Sequence, residues 1–191
     1  MSVHLHVRSA YTLLNSTMSV QQIVKRARSL GYQSIALTDE NSMHGAMEFY
    51  HLCQKEGIKP IFGLECTFIW KQMPVSCVLL AKNDQGFHHL MKASSILMAQ
   101  SDKTLSFEQF LLLSKECFVI LFAEGGVFEN ALNLMDEQAV MQLLHDLKQD
   151  LNEFIIGLSY QDFAYWRIRN DLMKKCAQSF NVKTTALSKI Y

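Results

Sequence analysis

Residues 19–65 read SVQQIVKRARSLGYQSIALTDENSMHGAMEFYHLCQKEGIKPIFGLE, and this stretch decides the fold. Ser19 and Gln22 match a capping box, in which each side chain satisfies a free backbone N–H at a helix start. Val20, Ile23, Val24, Ala27 and Leu30 then recur at helical spacing, and Gly31 supplies a stop. The plan repeats: Met43, Ala46, Met47, Tyr50 and Cys53 share one helix face, and Gly57 ends it. Each stop glycine is followed by a short apolar strand, SIALTD after Gly31 and PIFGLE after Gly57. A helix–strand unit that repeats in this way predicts parallel neighbouring strands.

Outward from this stretch, β-branched and apolar runs predict strands over 3–7, 34–39, 60–68, 75–82, 118–123, 154–160 and 182–187. Helical periodicity predicts further helices over 85–99, 106–113, 136–151 and 165–180. Few residues separate the third strand from the fourth, so that junction is expected to be a hairpin. Seven strands alternating with helices, in a chain shorter than the usual barrel, predict an α/β fold, a distorted seven-stranded (β/α) barrel. An open doubly wound sheet is the alternative. No G-x-G-x-x-G or Walker A pattern occurs, so nucleotide sites of those kinds have no support.

Lys and Arg number 18 and Asp and Glu 18, so the chain has no net charge and no global attraction for a nucleic-acid backbone. With 49% hydrophobic and 19% charged residues it can bury a core and does not read as disordered. Its 191 residues suit one domain, 1–191. The five cysteines form no C-x-x-C pair, and the longest apolar runs, such as CFVILFA over 117–123, fall far short of a membrane span. With no leader-like start, the chain reads as cytoplasmic, with reduced thiols filling core positions and no membrane partner.

In parallel α/β folds the chemistry gathers at the carboxyl ends of the strands. Alternation along VHLHVRS, residues 3–9, puts His4, His6 and Arg8 on one side. LTDEN places Asp39 and Glu40 at the tip of the second strand, and FGLE places Glu65 near the end of the third. Imidazoles and carboxylates converging on one rim are ligand types that zinc or manganese uses. His44, His51, His88, His89 and His145 fall on predicted helices and read as ordinary surface or core residues. Glu40 and Glu48 also suit solvated helix charges, and KRAR over 25–28 reads as the wet face of its helix. Met91, Met98 and Met173 read as core fillers.

The joined segments VHLHVRSAYTLLNS, SIALTDEN, GAMEFY, GIKPIFGLE and LLAKN resemble the N-terminal PHP (polymerase and histidinol phosphatase) domain of bacterial DNA polymerase III alpha subunits, most closely the DnaE type of Gram-positive bacteria. The resemblance is densest over 3–65, continues through 78–95 and weakens beyond about residue 101. It implies a distorted seven-stranded barrel, and in metal-binding members a cluster of divalent ions at the rim that supports phosphoester cleavage. The family's H-x-H falls on His6 and Arg8, so its second ligand is lost. LLDG has become LLNS, with Asn15 in place of a carboxylate, and TDH has become TDE, keeping Asp39 and putting Glu40 for His. The G-x-E is intact at Gly63 and Glu65. LFAEGG stands where a Cys or His is expected, and the closing D-x-H falls on Ser188 and Ile190.

The resemblance therefore implies a vestigial rim of His4, His6, Arg8, Asn15, Asp39, Glu40 and Glu65, of which only His6, Asp39 and Glu65 keep ligand character. A guanidinium offers only donors and stays charged, so Arg8 is expected to stand in for the lost ion, pairing with Asp39, Glu40 or Glu65. The expected function is a catalytically silent scaffold, the N-terminal part of a DNA-directed DNA polymerase acting in replication. Its partners would be the remainder of that polymerase and other replisome subunits. DNA and Mg2+ would be handled by the parent enzyme, and no cofactor is expected in this region. The alternative is a metal-dependent phosphoesterase or 3′–5′ exonuclease with zinc or manganese on His6, Asp39 and Glu65. A free-standing interaction module is the third possibility, and nothing in the sequence favours it.

Overall fold

The computed structural model describes residues 3–12, 15–159 and 164–187. Helix α1, Val20–Ser29, starts on the capping box: Gln22 N–H donates to Ser19 Oγ at 3.2 Å and Ser19 N–H donates to Gln22 Oε1 at 2.8 Å. Val20, Ile23, Val24 and Ala27 are buried, whereas Leu30 caps the C-terminus and lies in solvent, since the chain leaves the helix there. Strand β1, Ser34–Leu37, leads to α2, Ala46–Glu56, which ends on Gly57 at φ 65°. The buried face of α2 is Ala46, Phe49 and Cys53. Met47 and Tyr50 were expected there but are exposed, because the helix begins at Ala46 and its stripe centres on Phe49.

Strand β2, Lys59–Trp70, pairs in parallel with β1, from Ser34 opposite Lys59 to Leu37 opposite Phe62. It then forms the expected hairpin with β3, Met73–Ala81, in antiparallel register. The two turn residues, Lys71 and Gln72, both adopt positive φ, as a two-residue turn between twisted strands requires. After α3, Asp84–Ala99, come β4, Thr104–Leu105, α4, Phe107–Leu113, β5, Cys117–Phe122, and α5, Glu129–Asn133. The chain closes with α6, Glu137–Asp150, β6, Ile155–Leu158, α7, Ala164–Ser179, and β7, Lys183–Ala186. The strands lie in the order β1-β2-β3-β5-β6-β7, with β4 beside β2. Strands β5, β6 and β7 run parallel to one another, and β3 runs against both of its neighbours. The fold is mixed α/β, a curled sheet that makes a distorted barrel.

Residues 3–7 depart from expectation: they run extended beside β1 without forming a regular strand. Ala36 N–H donates to His4 O and Thr38 N–H to Val7 O, so two donors two residues apart meet acceptors three apart. One extra residue breaks the ladder, as at a bulge. Strand β4 and helix α5 were not anticipated, since two and five residues are too few to carry a periodic signal. The expected strand over 154–160 stops at Leu158, and Tyr160 lies outside the described residues.

Alternation along β2 builds two cores. Leu64, Cys66, Phe68 and Trp70 face outward under the helices, where the Phe68 and Phe110 rings stack with centroids 3.7 Å apart. Ile61 faces the barrel lumen, whose lining includes Ala36, Val78, Leu80, Ile120 and Phe122. Met173 is buried, but Met91 and Met98 are exposed: α3 packs through Leu90, Ala93, Ser94 and Leu97, and both methionines fall off that stripe. All five cysteines are free and buried, and burial pushes the Cys53 and Cys117 thiols up to about 12. Among the described residues no helix is long and apolar enough to cross a membrane.

Candidate functional site

The expected rim lies where the segment 3–12, the end of β1 and the middle of β2 converge. Beyond β1 the chain stays extended. Glu65 N–H donates to Asp39 O at 3.1 Å and Asn41 N–H to Glu65 O at 2.8 Å, which bridges Glu40 to Glu65 in parallel. Gly63 allows β2 to pass this close. A Cβ there would meet Leu80 Cδ2 at 2.6 Å, Leu79 O at 2.7 Å and Thr38 Cγ2 at 2.7 Å. Thr38 fastens the first segment from the other side, its Oγ1 accepting from Val7 N–H at 3.0 Å and donating to Val7 O at 3.2 Å.

Two side chains of the first segment close on Glu65. Arg8 binds it in bidentate fashion, Nε to Oε2 at 2.7 Å and Nη2 to Oε1 at 2.6 Å. His6 Nε2 lies 2.7 Å from the same Oε2. Burial alone would push the Glu65 carboxyl up, but the hydrogen bonds and charges of His6 and Arg8 outweigh it and hold it at about 2. Glu65 is therefore an ionised acceptor at neutral pH, and the proton of this contact sits on His6 Nε2. The imidazole stacks on Phe122 with centroids 5.2 Å apart, and its buried Nδ1 has no hydrogen-bond partner among the described residues. Arg8 also approaches Glu40, Nη1 to Oε2 at 3.4 Å, in a more exposed contact. An ion pair this buried holds geometry more than it adds net stability.

Asp39 sits in the same region but serves a different structure. Oδ1 accepts from Ser9 N–H at 2.6 Å and from Thr12 Oγ1 at 2.8 Å, and Oδ2 accepts from Ser9 Oγ at 2.8 Å. Thr12 Oγ1 in turn accepts from Glu40 N–H at 3.0 Å. These contacts pin residues 9–12 to the tip of β1. Asn15 reaches Glu40 at a marginal 3.4 Å, and His4 turns away to Tyr32, Nε2 to Oη at 2.9 Å. His4 thus leaves the face of His6 and Arg8, because the extra residue between the two ladder contacts breaks the alternation. The structure brings His6, Arg8, Glu65 and Glu40 together, sets Asp39 beside them as a loop staple, and leaves His4 apart. Ser188 and Ile190 lie outside the described residues. Sequence reasoning passed over Ser9, Thr12, Thr38 and Phe122. The only signal for the first three was a hydroxyl flanking each quoted motif.

A divalent ion does not fit this arrangement. Glu65 accepts three hydrogen bonds and Asp39 three, which leaves each carboxylate about one free acceptor site, and a fixed guanidinium charge sits on Glu65 and beside Glu40. Among the described residues no three His, Cys, Asp or Glu side chains are grouped to hold an ion. Among the described residues the unpartnered His6 Nδ1 is one ligand atom without companions.

Comparison with known proteins places these features in context. The profile of the PHP domain matches residues 4–163. The DNA polymerase III subunit alpha of Bacillus subtilis is 30% identical over 201 aligned residues, covering 99% of this chain and 17% of that protein. Its namesake from Borreliella burgdorferi is 29% identical, covering 96% of this chain and 17% of the relative. That of Halalkalibacterium halodurans is 35% identical over 65% of this chain and 12% of the relative. The chain thus spans under a fifth of these relatives' length. Among solved structures, a Bifidobacterium adolescentis protein assigned to the metal-dependent phosphoesterases superposes with TM-score 0.68 at 13% identity, over 98% of this chain and 87% of that one. An amidohydrolase from Chromobacterium violaceum, with bound sulfate and no metal, gives 0.64 at 13% identity, over 100% and 87%. At such identities these two share the fold alone.

Proposed function

Because the chain belongs to the PHP domain family, and its sequence relatives are DNA polymerase III alpha subunits, we propose that it is the PHP part of such a subunit and acts as a catalytically silent scaffold. One observation carries this reading: a guanidinium, Arg8, occupies the carboxylate that a metal would need, and Asp39 is spent on holding a loop. The rim that could have presented ions to a phosphoester instead ties the first segment to β1 and β2. Such a rim gives rigidity to the carboxyl end of the barrel, which suits a domain that braces a polymerase core. On this reading DNA synthesis, Mg2+ and contact with DNA belong to the rest of a cytoplasmic polymerase chain, and other replisome subunits are its further partners.

Three observations test it. Elemental analysis of protein purified without chelator should find far less than one zinc or manganese per chain. Near-stoichiometric metal that is lost in His6→Ala defeats the scaffold reading. A nuclease assay with added manganese should show no turnover, and activity abolished by Asp39→Asn restores the hydrolase alternative. The reading frame downstream of Tyr191 should encode the carboxylates of a polymerase palm.

A further inference from the structure

The end of the barrel away from Glu65 carries a second feature. Here the amino ends of β2, β5 and β6 and the carboxyl end of β3 surround a pit of about 770 Å³. Its floor is aliphatic, made by Leu5, Ile61, Leu80, Ile120 and Ile155 of the lumen core, of which Leu5, Ile61 and Ile155 are only partly buried. Met47, Tyr50 and Phe118 stand at its edge, 61%, 41% and 49% exposed. Lys59 lies six residues before Glu65 on β2, so pit and rim are about 20 Å apart along the strand.

The charges around the pit lean positive. Lys59 and Lys82 line it with one acid, Asp84, and Lys148 and Lys183 line the adjoining cleft with one acid, Glu153; the cleft shares Lys82, Phe118 and Ile155 with the pit. Among the described residues no carboxylate lies within ion-pairing distance of Lys59, Lys82 or Lys183. Lys82 Nζ rests over the Phe118 ring, 5.1 Å from its centroid. Of the nearby acids, Asp84 lines the pit from the first turn of α3, where the helix dipole favours it, and Glu116 accepts from Asn83 Nδ2 at 2.9 Å. A chain without net charge therefore places an excess of lysines, four against two acids, around an open apolar hollow.

We propose that this pit docks a partner protein segment in which a bulky apolar side chain is flanked by carboxylates. The apolar side chain fills the hollow and displaces water from aliphatic surface, which supplies the affinity. The carboxylates meet Lys59, Lys82 and Lys183, which supplies orientation and rate of encounter. A single-stranded nucleic acid suits the pit less well: its bases stack on exposed aromatic platforms, whereas this floor is concave and aliphatic. The proposal stands whether or not the Arg8 rim binds metal.

The test is fluorescence anisotropy with the 191-residue chain and three labelled probes. They are the peptide GDEFLDDG, the same peptide with lysine for every acid, and the same peptide with serine for Phe and Leu. The acidic apolar peptide should bind saturably and at least about tenfold more tightly than either control, and added salt should weaken it. Phe118→Ser, and Lys59→Glu combined with Lys183→Glu, should each weaken it about tenfold, while Leu134→Ser, remote and 80% exposed, should not. The substituted residues are solvent-exposed, and circular dichroism confirms that each variant folds. Absence of saturable binding up to about 1 mM, equal binding of the lysine peptide, or tighter binding of an oligothymidine overturns the proposal.

Discussion

Replacing Arg8 by methionine tests the central contact most directly. Methionine keeps much of the volume and removes both hydrogen bonds to Glu65. In the folded protein burial would raise the Glu65 carboxyl, but His6 and Arg8 prevail and hold it at about 2, against an ordinary 4.5. That lowering corresponds to about 3 kcal/mol of folding stability from ionised Glu65. A lowered carboxyl contributes in full above about pH 4.5 and loses its contribution as pH falls toward 2. In Arg8→Met only His6 is left to oppose burial, and a buried carboxylate that has lost its bidentate partner costs roughly 3–5 kcal/mol at pH 7. At about pH 3 the native protein has already lost some 2 kcal/mol of its advantage, and a carboxyl without the guanidinium has less to lose, so the difference shrinks. Urea unfolding followed by circular dichroism at both pH values measures the difference, and the other carboxylates cancel in the comparison. Adding Glu65→Met to the variant should recover most of the loss, since an apolar pair leaves no stranded charge. A cost under about 1 kcal/mol at pH 7, or an equal cost at both pH values, refutes the reasoning.

Other substitutions probe the supporting contacts. Asp39→Asn puts an amide donor against Ser9 Oγ and should cost about 2 kcal/mol. It should also open residues 9–12 to chymotrypsin at Tyr11; unchanged cleavage would remove Asp39 from its stapling role. Gly63→Ala forces a methyl into contacts of 2.6–2.7 Å with Leu80, Leu79 and Thr38, and thermal unfolding should report a loss of roughly 1–3 kcal/mol or more. An unchanged midpoint would mean that β1 and β3 can move apart freely. The native thiols should be silent toward a thiol-disulfide reagent at pH 8, because all five are buried and burial raises Cys53 and Cys117 to about 12. A fast-reacting thiol in the native state contradicts that packing.

Much of the architecture could be read because its signals are local. A capping box such as Ser19 with Gln22, a stop glycine such as Gly57, or an apolar strand such as the one ending at Glu65 needs only neighbours within one turn or one strand. What was misjudged depends on distant partners. Residues 3–7 have a strand's alternation, yet their register against β1 slips by one residue, and His4 leaves the rim in consequence. Met47 and Tyr50 have a core stripe's spacing, yet α2 turns Phe49 to the core and leaves those two beside the pit.

The amino-acid sequence by itself determined the repeating helix–strand units, the distorted-barrel class, the family resemblance and the arginine standing at a ligand position. Those depend on side-chain type and short-range spacing, which are written along the chain. Only the tertiary structure decided that Arg8 closes on Glu65 while Asp39 is drawn to Ser9 and Thr12. Several carboxylates at one strand end offer a guanidinium equally good chemistry. Which of them it takes depends on differences of an ångström or two between segments some thirty and sixty residues apart in sequence, and folding alone sets those distances.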